Sequence, residues 1–124
     1  MIYLDTHVVV WLFAGEIKKL STQVSELINS KEISISPVVC LELQYLFEIE
    51  RITEESRYII SDLSDRIGLK VCEKNFYTII KYAFEYSWTR DPFDRIIVAN
   101  ASIDSSILIT KDQFILKNYH NAVW

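Results

Sequence analysis

Glycine and proline are nearly missing from this sequence, with two of each in 124 residues. Such a chain has no flexible linker or proline-rich spacer, and it shows no internal repeat or low-complexity segment, so one domain over residues 1–124 is expected. Cysteine is as scarce: Cys40 and Cys72 stand far apart and form no CxxC pair. With only His7 and His120 to join them there is no ligand set for a structural zinc, and two reduced, buried thiols are expected. Positive charge is in deficit, 13 lysines and arginines against 17 aspartates and glutamates, for a net charge of -4. This balance excludes a protein that coats nucleic acid by charge alone, so a polyanion would have to be met at a local site. No apolar run reaches membrane-spanning length and the opening MIYLD has no basic leader. A cytoplasmic protein with no membrane attachment is expected.

Half of the residues are hydrophobic, enough to build a core. The run IYL, ending at Asp5, reads as a short buried strand, and Thr6 to Phe13 reads as a helix closed by Gly15. Ser21 can cap a helix through about Asn29 with Val24, Leu27 and Ile28 inward, before the strand candidate ISIS, Ile33 to Ser36. Pro37 suits a first helical position, so VVCLELQYLFEIE continues as one helix, and Thr53 to Ile67 forms another with Tyr58, Ile59 and Leu63 at helical spacing and Gly68 at its end. LKV (Leu69 to Val71), a helix from Asn75 to Tyr86, a helix begun at Pro92, the strand candidate ILIT and a final AVW complete the chain. Short apolar strands alternating with longer helices predict an α/β fold whose mostly parallel sheet is covered on both faces.

In an open sheet of this kind ligands bind beyond the carboxyl ends of the strands. Asp5 follows the first strand and Asp112 follows ILIT, so both belong on that rim. Asp91 and Asp94 open a helix preceded by another helix, and the pattern leaves open whether that helix starts on the rim. Glu42 has Val38 and Leu46 one turn away and Val39 and Tyr45 three residues away, while Asp94 shares a face with Ile97, Val98 and Ala101. Carboxylates gathered in apolar settings must be protonated or neutralised by a cation. Arg95 and Lys111 are too few to balance Asp5, Glu42, Asp94 and Asp112 together. Hard oxygen donors without cysteine or histidine select Mg²⁺ or Mn²⁺. Two such ions about 3.5–4 Å apart can activate a water and brace the leaving oxygen of a phosphodiester.

The segments LDTHVVVWLFAG with Asp5, SPVVCLELQYL with Glu42, RDPFDRIIVANA with Asp94 and ILITKDQF with Asp112 occur in an order and spacing that span the chain. Together they resemble the PIN-domain ribonucleases of the VapC toxin type, from type II toxin-antitoxin systems. The resemblance implies an α/β/α sandwich and metal-dependent cleavage of single-stranded or structured RNA. It also implies a homodimer and a small antitoxin partner that blocks the site. It places the four acids on one rim, with Asp5 and Asp94 most directly tied to metal and Glu42 and Asp112 completing the cluster.

Other residues read structurally. Asp91, before Pro92, is a natural N-cap that supports the site from behind. Thr6 is read as the cap of the first helix, or else as a holder of a site water, and Thr110 as a strand packing residue or an orienting donor. His7 stands where asparagine or serine is common in the family and is given no chemistry. His120 reads as surface, the Lys18-Lys19 pair as a solvated face or else a contact for RNA phosphates, and Trp11, Trp88 and Trp124 as core or dimer face, with base stacking the alternative. Two competing functions remain: a receiver-like signalling module, which would need a phosphorylatable aspartate at a central strand, and a catalytically silent PIN-fold binding module.

Overall fold

The structure, a computed structural model, describes residues 1–124. In chain order the elements are β1 (Ile2–Leu4), α1 (Thr6–Ala14), one turn of 3₁₀ helix (Ile17–Lys19), α2 (Thr22–Ser30), β2 (Ile33–Ile35), α3 (Pro37–Glu48), α4 (Ser56–Ile67), β3 (Lys70–Val71), α5 (Phe76–Ala83), α6 (Pro92–Ser102), β4 (Ile107–Ile109), α7 (Gln113–Asn118) and β5 (Ala122–Val123). The sheet runs β3-β2-β1-β4-β5 and every pairing is parallel. All of Ile2, Tyr3 and Leu4 are buried, as are Ile33, Ser34 and Ile35, so helices cover both faces of the sheet centre. This is the α/β sandwich read from the sequence.

The chain steps from β1 outward to β2 and β3, then jumps back past β1 to β4 and on to β5. Right-handed crossovers therefore place α1 to α4 on one face and α5 to α7 on the other. In keeping with this, α1 packs on α3 and α4, and α5 on α6, while α3 and α6 meet where the two faces join, with Tyr45 on Phe93. The direction of winding reverses between β1 and β4, where Leu4 pairs with Ile109. This reversal is the topological switch point, and it opens a crevice at the carboxyl ends of those two strands. The order also differs from the 2-1-3-4-5 of flavodoxin-like receivers, which removes the signalling-module alternative although Asp5 does end the central strand.

Local chemistry explains most boundaries. Ser21 and Asn75 accept hydrogen bonds from the N–H groups of Val24 and Thr78, and Ser36 caps α3 ahead of Pro37. Both glycines, Gly15 and Gly68, sit in the left-handed region directly after a helix, φ 73° and 71°, where a side chain would be strained. Several expectations need correction. α4 begins at Ser56, whose hydroxyl donates to the Cys40 carbonyl (2.7 Å), not at Thr53. Tyr58 points to solvent while Ile59 and Leu63 are buried. α5 stops at Ala83 rather than Tyr86, and Thr110 lies just past β4. Cys40 and Cys72 are free but only half-buried. No helix is long and apolar enough to cross a membrane.

Candidate active site

The crevice at the switch point is built from the starts of α1, α6 and α7 and the middle of α3. The N–H of Asp5 donates to the Ile109 carbonyl (3.0 Å), locking the end of β1 to the end of β4. Asp5, not Thr6, is the N-cap of α1: one carboxylate oxygen accepts from the Thr6 N–H (2.8 Å), and the other from the Thr110 hydroxyl (2.6 Å). Thr110 in turn accepts from the Asp112 N–H (3.0 Å), so it orients two acids, the second of its two readings. Asp112 caps α7 through the N–H groups of Phe114 and Ile115. Thr6 lies inside α1, fully buried, and its hydroxyl donates to Glu42 of α3. Asp91 caps α6 as expected, accepting from Phe93 (2.8 Å) and Asp94 (3.3 Å), which sets Asp94 in the first helical turn.

Asp5, Glu42, Asp91, Asp94 and Asp112 all line a single cavity of about 360 Å³, together with Lys111, His7 and Trp11. The position of the α6 start, left open by the sequence, is on the rim. The N-terminal ends of α1 and α6 meet there, where their dipoles favour negative charge.

That favour is not enough to neutralise the cluster. Burial, then the charges of Asp91, Asp5, Asp112 and Glu42, push the Asp94 carboxyl up to about 7. Burial also raises Asp5, against the opposing hydrogen bonds from Thr110 and Thr6, and raises Glu42 against the bond from Thr6. None of the ion pairs in the chain includes a cavity acid. Arg95 does not pair with Glu42; its guanidinium donates to the carbonyls of Ala83 (3.0 Å) and Phe84 (3.4 Å) at the end of α5.

A hard divalent cation fits this donor set: carboxylate oxygens only, crowded, half-buried and without a cationic partner. No three acidic, histidine or cysteine side chains converge closely enough to enclose an ion on their own. One or two of these carboxylates, with waters and a substrate oxygen, would make up the shell that Mg²⁺ or Mn²⁺ takes.

Two lining residues, His7 and Trp11, lay outside the sequence reading of the site. The available signal was their place on α1: a helix that starts at a site acid turns its first residues, and those four further on, toward the same rim. Trp124 packs edge-on against Trp11 (5.6 Å). Trp88 packs on Tyr86 and His120 is exposed beside Tyr119, both outside the cavity lining. Lys19 pairs with Glu16 (2.5 Å).

The family model of the PIN domain matches residues 2–120. Among solved structures, the chain is similar to a chain of VapBC2 from Rickettsia felis bound to a DNA fragment from their promoter, with TM-score 0.68 and 21% identity over 99% of this chain and 96% of that one. It is similar to a chain of a toxin-antitoxin complex from Klebsiella pneumoniae with TM-score 0.68 and 16% identity, covering 100% and 97% of the two chains. At these identities the likeness is one of fold. No curated protein matches the sequence.

Proposed function

The chain belongs to the PIN domain family, and on that premise we propose that it is a Mg²⁺- or Mn²⁺-dependent endoribonuclease, the toxin of a VapC-type toxin-antitoxin pair. The observation that carries this reading is the cleft itself: five carboxylates from four separate parts of the chain line one cavity, and none is paired to a cation. Two half-buried acids and one nearly buried one are held above their ordinary range, an arrangement that favours divalent counter-charge.

When bound, a divalent cation supplies Lewis acidity that activates water and steadies charge on a phosphodiester. Asp5 and Asp94 would hold it, with Glu42 and Asp112 completing the set. Thr110 fixes the Asp5 carboxylate and Thr6 fixes Glu42, so both present a defined oxygen to the cleft. Asp91 holds the start of α6 in place and thereby aims Asp94. No serine or cysteine lines the cavity, which suits attack by water rather than by a hydroxyl or thiol side chain.

A protein partner is supported by the surface. Leu41, Tyr45 and Ile49 of α3 and its C-cap form an exposed apolar line at helical spacing, next to Glu42. Two similar solved structures are VapBC2 and a toxin-antitoxin complex, which supports an antitoxin covering the site, and a homodimer is part of the same proposal.

The test is cleavage of a mixed RNA pool by the purified chain with Mn²⁺, with chelator, and in Asp5→Ala and Asp94→Asn variants. Cleavage that needs Mn²⁺ and falls to background in both variants is expected. Undiminished cleavage under chelation would overturn the metal mechanism, and a folded wild-type chain that cuts no RNA would leave the silent binding module.

A further inference from the structure

The cavity has a second wall that its acids do not explain. Lys111 is the one cation in its lining, yet it enters none of the ion pairs of the chain despite the surrounding carboxylates. Its ammonium lies over two indoles instead, 5.8 Å from the Trp11 centroid and 5.7 Å from that of Trp124. The indoles brace each other edge to face at 5.6 Å. They hold the lysine through the negative faces of their rings and leave its charge unneutralised. In the same lining the exposed His7 ring leans on Trp11 at 6.4 Å.

A cleft of acids repels a nucleic acid backbone everywhere except where cations stand. A lysine kept off the carboxylates leaves one positive charge free for a phosphate next to the reacting one. An exposed aromatic ring in the same lining offers a face to a base, but only to a base not already stacked in a duplex. We infer that Lys111, braced by Trp11 and Trp124, and the ring of His7 form a nucleotide subsite beside the acids that holds one phosphate and one unstacked base of single-stranded RNA. This rests on the nuclease reading of the cleft and assigns positioning residues to it.

The test separates binding from cleavage. The Asp94→Asn chain, with Mn²⁺ present, is titrated into a fluorescently labelled, unstructured RNA oligonucleotide and into an RNA duplex of the same length, over a range of salt. Tighter binding of the single strand is expected. Lys111→Met should lower the slope of log affinity against log salt by about 0.7, the share of one phosphate contact on a single strand. His7→Ala should weaken binding by about fivefold or more, and His7→Phe, which keeps an aromatic face but no titratable nitrogen, should restore it. Both side chains are exposed, so these variants test contact rather than folding. In the cleaving wild-type background, Lys111→Met should raise KM and leave kcat nearly unchanged. Equal affinity for duplex and single strand, or binding indifferent to both substitutions, would overturn the subsite. The expected binding pattern in a chain whose wild type cuts no RNA would uphold the subsite and overturn the nuclease reading instead.

Discussion

Asp94 is the residue at which the physics of the site is most exposed. Its carboxyl titrates near 7 in the fold against 3.8 ordinarily, with burial the main cause and four neighbouring acids adding to it. Between about pH 4 and 7 the folded chain holds a proton there that the unfolded chain has released, so stability falls as pH rises across that window, and the full penalty stands above it. Asp94→Asn removes the penalty. With chelator present, urea unfolding should find the variant more stable than wild type by about 1–2 kcal/mol at pH near 7.5, after allowance for solvent screening, with the difference vanishing toward pH 4. A variant less stable at neutral pH would show that the carboxylate is not strained. The apolar setting of Asp94 and Glu42 was legible from helical spacing alone. The bond from Thr110 to Asp5 was not, because it joins residues 105 positions apart and exists only through the register of β1 on β4. His7 was hidden for a simpler reason: a polar residue at a helix start has many uses, and only the fold shows which cavity it faces.

At the scale of the element, the start of α6 links stability to the site. Asp91 accepts two backbone hydrogen bonds there, so Asp91→Ala should cost about 1 kcal/mol, and Asp91→Ser, which can cap in the same way, should regain most of it. RNA cleavage measured alongside decides the role: if Asp91 serves only as a cap, the serine variant keeps near-wild-type activity, whereas a direct ligand role would leave it as inactive as alanine. Caps, Pro37, Pro92 and both helix-ending glycines could be read from the sequence because each acts within one turn of chain. Two helix bounds could not. Glu50 takes a positive φ of 61° after α3, and the chain bends on to Glu55 before α4 starts. α5 tightens after Ala83 into turns in which Glu85 and Tyr86 donate to the carbonyls three residues back, and Arg95 from α6 donates to the carbonyls of Ala83 and Phe84 at that end. That contact is tertiary and leaves no periodic trace in α5.

For the molecule as a whole, the decisive feature is the reversal of winding between β1 and β4, which gathers acids from both ends of the chain at one crevice. The sequence pattern called for a parallel sheet and two rim acids, but strand order depends on where two successive helices, α5 and α6, return the chain, and spacing is silent on that. Resemblance to a family supplied the shared rim, and all five acids line one cavity there. If crowding of those acids is what makes the cleft a cation site, then calorimetric titration of the metal-free chain with Mn²⁺ near pH 7, in two buffers of different ionisation heat, should show binding coupled to release of protons, and the coupling should fall in Asp94→Asn. Absence of binding heat in the wild type, or proton release unchanged by Asp94→Asn, would contradict it.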